Sequence, residues 1–236
     1  MRTAATLSLL LIGLAAFARS QPDDSRPFQP NVLPALEIRR AAAPIQIDGE
    51  LDDPGWQEAV AATNFAEIRP GDQSRPPVNT EALVAYSDTH LYLAFKAADS
   101  NPGAIRASLR DRDQMWQDDF VGIILDTYGD GAWAYEIFAN PLGVQGDARW
   151  TAENEDDGFN LIFASQGKIT AAGYQVEMAI PFSSLRFPDK PKQNWRITFF
   201  RTHPRDSRRQ YSWASVSRDN PCFPCQFGTL SGINNV

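Results

Sequence analysis

The 236-residue sequence predicts an all-β fold, an antiparallel β-sandwich with short helical turns. Three observations lead there. Apolar residues recur at period two in several short segments, turn formers separate those segments, and no segment longer than three turns carries a helical stripe. The period matters because a strand sends successive side chains to opposite faces, so alternation marks a sheet buried on one side.

Taken in chain order, residues 1–20 read as a cleaved secretory signal peptide. Arg2 supplies the positive start, residues 7–17 are an apolar run of eleven, and Ala18 and Ser20 place small residues before Gln21. That run is too short to cross about 30 Å of hydrocarbon, so no membrane span is expected in the mature chain. The expected location is secreted, periplasmic or cell-surface. Residues 21–43 follow as a Pro-rich flexible lead-in, and residues 44–236 as the sandwich itself. Within it, Asp53-Pro54-Gly55-Trp56 reads as a helical turn, with Asp53 as N-cap and Pro54 at the first helical position. In residues 90–97, Leu91, Leu93, Phe95 and Ala97 share one face. The run Phe120-Val121-Gly122-Ile123-Ile124-Leu125 is apolar on both faces, as a strand covered on both sides requires. Tyr174, Val176, Met178 and Ile180 repeat the alternation, with Gln175 and Glu177 turned the other way. Residues 181–185 read as a second helical turn, and Trp195, Ile197 and Phe199 mark a further strand.

Composition narrows the function classes. Hydrophobic residues at 43% and charged residues at 22% fit neither a disordered nor a membrane-embedded chain. With 22 basic against 29 acidic residues there is no electrostatic basis for capturing nucleic acid. Two cysteines cannot build a disulfide framework, and two histidines leave little for a His-rich metal centre.

Four segments, in order, carry a resemblance: Ile47-Asp48-Gly49-Glu50-Leu51-Asp52 with Trp56; residues 86–95 ending towards Asp99; Trp116-Gln117-Asp118-Asp119-Phe120-Val121 through Asp126; and residues 173–181. Together they resemble carbohydrate-binding modules of family nine, DOMON-like β-sandwiches appended to xylanases. They also resemble the domain that opens some bacterial outer-membrane barrel proteins, towards which residues 135–147 lean. The resemblance spans residues 44–232 and implies a sugar stacked on Trp116, structural calcium and, in the second group, a C-terminal barrel domain. It also marks departures. Phe223 is the remaining ring where those modules carry a second tryptophan before the final Phe227-Gly228. Their sugar-binding carboxylate falls at Gly122, and their sugar-binding arginine falls near Glu136.

The residues support several chemistries. Trp116 lies between a polar loop (residues 110–115) and an apolar strand, where an indole face suits the C–H face of a pyranose; its alternative role is to cap the core. Trp116, Phe223, Arg106 and Trp150 are the expected ligand-binding residues. Asp88, Asp99, Asp118, Asp119 and Asp126 are hard donors of the kind calcium requires, with Asp99 and Asp119 as the first pair; the alternative is a solvated acidic rim of turn formers. Glu136, Glu177, Asp119 and Asp147 are available to a glycosidase. Cys222 and Cys225 are expected as a local disulfide, and Arg201, Arg205, Arg208 and Arg209 as a solvated hairpin turn. Haem, conceivable in DOMON relatives through Met115, Met178 or His203, has little support. Three functions follow: a non-catalytic polysaccharide- or oligosaccharide-binding module serving carbohydrate catabolism, a surface interaction domain of a barrel protein, or a glycoside hydrolase.

Overall fold

The computed structural model describes residues 27–236. The signal peptide and the first part of the lead-in lie outside those residues. The strands are β1 (Ala35–Glu37), β2 (Val60–Ala62), β3 (Ala66–Arg69), β4 (Thr80–Tyr86), β5 (His90–Ala98), β6 (Phe120–Asp126) and β7 (Trp133–Ala139). After them come β8 (Gln145–Thr151), β9 (Glu155–Asp156), β10 (Ala164–Thr170), β11 (Gly173–Pro181), β12 (Trp195–Pro204), β13 (Arg208–Ser212) and β14 (Gly228–Ser231). Two sheets result. The larger runs β1-β14-β12-β6-β7-β8-β9, with β13 also paired to β12 and β3 paired to β13; the smaller runs β10-β11-β5-β4-β2. The helical content among the described residues is single turns of 3-10 helix, including Pro54–Trp56 and Phe182–Ser184, where short turns were expected.

Alternation decides which faces meet. Leu91, Leu93 and Phe95 of β5 and Val176, Met178 and Ile180 of β11 face Val121, Ile123 and Leu125 of β6 and Ile197 and Phe199 of β12 in one continuous core. Each such side chain contributes about 1.5–3 kcal/mol on burial. Phe95 meets Phe199 edge-on at 6.2 Å, and Phe199 meets Trp213 at 5.3 Å, tying one sheet to the other.

Four expectations need correction. The lead-in is not free over its described part: Leu36 and Ile38 are buried, and β1 pairs in parallel with β14, so the sandwich is not wholly antiparallel. An apolar residue at every second position, held in extended backbone, suits that edge position. Asp53 stands at the N-cap, but its carboxylate accepts from the Gln46 N–H at 2.6 Å and does not cap the turn. Glu177 does point away from the core, yet it is fully buried: the segment around residues 48–56 folds over it. Its carboxylate accepts from Trp56 Nε1 at 2.8 Å and from the N–H groups of Gly49 and Asp48. Burial pushes this carboxyl up, and those three donors oppose the rise. Lastly, the basic stretch does form the expected hairpin between β12 and β13, with Arg208 exposed, but its other arginines are engaged with the fold. Arg201 is wholly buried, donating to the carbonyls of Asn79 and Ala98 and to Thr80 Oγ1, and so links the two sheets.

Candidate functional site

The strand that is apolar on both faces leads to the site. Val121, Ile123 and Leu125 enter the inter-sheet core, while Phe120 and Ile124 project from the outer face of the larger sheet. Phe138 of β7 and Phe200 of β12 join them there, forming the floor of a groove of about 600 Å³. That volume lies within the range of small-ligand sites. Phe120 and Phe138 are 5.2 Å apart, and Phe138 and Phe200 are 5.8 Å apart. Gly122, at the place of the missing carboxylate, lies under the Phe138 ring: a Cβ there would come within 2.6 Å of it.

Trp116 forms one wall. Its indole meets Phe120 and Phe138 edge-on at 5.7 and 6.0 Å and is half-buried, so one side stays accessible. Several contacts hold it. Met115 is fully buried beside it, and Arg208 donates to the Trp116 carbonyl. Asp118 accepts from the Ser108 N–H at 3.0 Å and from Asn140 Nδ2 at 2.9 Å, closing the loop that carries the tryptophan. Gly146 leaves room for the ring, since a Cβ there would lie 3.1 Å from Trp116 Cζ2 and Cη2. The opposite wall pairs Trp150 of β8 with Phe223 at 5.8 Å. Phe223 is positioned by the Cys222–Cys225 disulfide, by Phe227 at 4.9 Å, and by Gln226, which accepts from the Ser217 N–H at 2.7 Å. Arg69, Gln210, Arg218 and Asn220 add polar groups around the groove.

Glu136 lies on the same face, between Ile124 of β6 and Ala148 of β8 in the register. It is 8% exposed, lines the groove, and accepts no hydrogen bond from the protein among the described residues. Burial pushes its carboxyl up to about 8, with Glu155 across the groove adding to the rise.

Of the expected ligand-binding residues, Trp116, Trp150 and Phe223 converge on the groove. Arg106 does not. Its exposed guanidinium reaches towards the Arg205 carbonyl, and its backbone N–H binds Asp119. The floor phenylalanines were not singled out as ligand contacts. Their signal was the apolar outer face of residues 120–125, which resembled a second core layer.

Asp99 and Asp119 do meet, but around arginine. Arg205 donates to Asp119 Oδ2 at 2.8 Å and Oδ1 at 3.0 Å, and its other nitrogen also binds Asp99. His203 Nε2 lies 3.0 Å from the same Asp99 oxygen, and Nδ1 lies 2.9 Å from the Tyr211 hydroxyl. Burial alone would raise the Asp99 carboxyl; the Asn101 N–H, Arg205 and His203 outweigh it and hold it below its usual range. Burial, with Arg201 and Arg205 nearby, lowers His203. Asp99, Asp119 and His203 bring donor atoms within 4.8 Å of one another, a spacing that could hold a metal ion, while the Arg205 guanidinium as placed already satisfies both carboxylates. Two of the other acids match the turn-former alternative: Asp126 accepts from the N–H groups of Tyr128, Gly129 and Gly131, and Asp88 is exposed and pairs with Arg40.

The glycosidase candidates separate in the same way. Asp147 is fully buried, binds Arg112 and accepts from the Leu161 N–H; Glu177 and Asp119 are committed as described. Of the four, Glu136 alone faces the groove.

Two stacked sheets with an aromatic groove on one outer face define a β-sandwich of the carbohydrate-binding-module class. The family model described as "Carbohydrate family 9 binding domain-like" matches residues 47–218, and the chain belongs to that family. Among solved structures, a protein of Bacteroides uniformis provisionally described as carbohydrate-binding is similar over 84% of this chain and 98% of its own, with 14% identity and a TM-score of 0.66. A family 9 module from Caldicellulosiruptor kristjanssonii in complex with cellotriose is similar over 83% and 93%, with 21% identity and a TM-score of 0.55. The same organism's family 9 module in complex with glucose gives 83% and 95%, 19% identity and a TM-score of 0.56. No curated protein matches the chain.

Proposed function

We propose that this chain is a secreted, non-catalytic module that binds polysaccharide or oligosaccharide chains in the groove of the larger sheet, serving carbohydrate catabolism. The observation that carries the reading is the opposed pair of walls, Trp116 on one side and Trp150 with Phe223 on the other, over a floor rimmed by polar side chains. Flat rings beside hydrogen-bonding groups suit a pyranose, which has apolar C–H faces and a polar edge. The complexes of the Caldicellulosiruptor modules support a saccharide as ligand. Trp116→Ala is expected to weaken glycan retention at least tenfold in affinity electrophoresis on a polysaccharide panel, with an unchanged circular dichroism spectrum. Equal retention by the variant refutes the assignment.

A glycoside hydrolase is the second reading, favoured by one observation: Glu136 and Glu155 both line the groove, and the first holds its proton to about pH 8 as a general acid must. Release of reducing ends from an oligosaccharide, lost in Glu136→Gln, would replace the binding-module reading. A barrel-borne interaction domain has no comparable observation behind it.

A further inference from the structure

The saccharide reading leaves Glu136 without a role. A carboxyl that is 8% exposed and unpartnered by the protein, set among Phe138, Phe120 and Ile124, is costly to ionise unless a cation joins it. The groove supplies none on the floor. The neighbours of Glu136 across the register are Ile124 on β6 and Ala148 on β8, and the nearby charge on β9 is Glu155, of the same sign. Arg69 on β3 and Arg218 in the loop after Val216 also line the groove, yet neither makes an ion pair with Glu136.

Although Arg69 and Arg218 also line the groove, a buried carboxyl with no protein partner, beside a second acid and several ring faces, leaves a place on the floor for a positive group. Carboxylates pair with an ammonium group, and aromatic faces attract it as well as the sugar's C–H face. Resting on the saccharide reading above, we infer that the groove takes a glycan carrying free amino groups, a 2-amino sugar such as the glucosamine units of a deacetylated chitin-type chain, with the ammonium seated against Glu136 and towards Glu155. An acidic glycan would gain nothing from a protonated Glu136 and would meet the like charge of Glu155. A neutral one would find, at the floor's centre, only what a glutamine could provide equally well. Protons balance in either entry state. A ligand arriving as ammonium makes Glu136 release its proton to solvent, whereas a free amine takes that proton directly and none is released.

The test is calorimetric titration at pH 7 and 150 mM salt with three tetramers: glucosamine, N-acetylglucosamine and glucose linked as cellotetraose. The glucosamine tetramer is expected to bind at least tenfold more tightly than either neutral tetramer. In Glu136→Gln that ratio is expected to fall towards one. Glu58→Gln, an exposed acid away from the groove, is expected to keep it, which separates a local pair from the general attraction of an acidic protein for a cation. Neutral tetramers binding as tightly as the amino tetramer, or a ratio unmoved by Glu136→Gln, overturn the amino-sugar inference while leaving saccharide binding intact. No binding of any tetramer, with no polysaccharide retained on the panel above, overturns both readings.

Discussion

Removing the Arg205 guanidinium separates the arginine reading of the Asp99–Asp119 cluster from the calcium one. Arg205→Met keeps the length and volume of the stem and deletes the charged fork. Asp119 is fully buried and Asp99 nearly so, and the guanidinium spans both. After the change, Asp119 keeps the Arg106 N–H, while Asp99 keeps the Asn101 N–H, His203 and, at 4.0 Å, the Arg201 guanidinium. Breaking a buried pair while leaving its charge behind costs about 3–5 kcal/mol; Asp119 loses its cation outright and Asp99 retains the more distant Arg201, so a cost within that range is expected. In urea, with a slope of about 3 kcal/mol per molar for a domain of this size, the unfolding midpoint at pH 8 should fall by roughly 1–2 M. The cost should also depend on pH. Burial and the two arginines lower His203 in the wild type; without Arg205 it should take a proton more readily and lend the carboxylates a replacement charge. The deficit of the variant should therefore shrink as pH falls from 8 to 6. Urea titrations monitored by tryptophan fluorescence read both quantities. A deficit under about 1 kcal/mol, or one equal at both pH values, refutes the reasoning.

Two further outcomes follow from the same structure. Chelation of calcium is expected to leave the wild-type melting temperature unchanged, since Arg205 fills the one place where Asp99 and Asp119 converge; a drop of several degrees in a scan with chelator would show that a metal is held after all. Glu136→Gln is expected to stabilise the protein at neutral pH. The folded carboxyl holds its proton to about 8 against an ordinary value of 4.5, so the folded state binds more protons across that window, and wild-type stability falls as pH rises through it by about 1.4 kcal/mol per unit. By pH 7 the gain of the glutamine variant is on the order of 3 kcal/mol, read as an urea midpoint that no longer declines between pH 5 and 7. A midpoint declining equally in both proteins overturns the assignment of that proton.

Much of this was legible in the sequence for a physical reason. Residues 90–97, 174–180 and 195–199 each lie with one face in the inter-sheet core, so their alternation maps directly onto burial. Trp116 was visible because a tryptophan between a polar loop and an apolar strand has two candidate positions, open to a ligand or capping the core. What stayed hidden depends on contacts remote in sequence. Glu177 and Asp48 are 129 residues apart, and the donors that bury Glu177 belong to a segment whose composition suggests only a turn. Arg201, Arg205 and Arg209 look solvated because their partners Asp99, Asp119 and Glu67 arrive from other strands and loops. Sequence distance hides a charge pair more readily than it hides an apolar face, which announces itself by its period.

The outer face of β6 shows why the two kinds of error are linked. Period-two logic assigns an apolar outer face to a second core layer, because water-facing apolar residues are unfavourable. Yet Phe120, Ile124, Phe138 and Phe200 are buried while no third layer covers them; Trp116, Trp150, Val216 and Phe223 rise around them and leave a groove open above. In a purely structural layer, the outward position on β7 between Ala134 and Phe138 would be apolar as well. The glutamate there costs stability at neutral pH and has no partner among the described residues. A cost of this size, placed in an aromatic groove and uncompensated by the described residues, is what the amino-sugar inference rests on, with the partner supplied by a ligand.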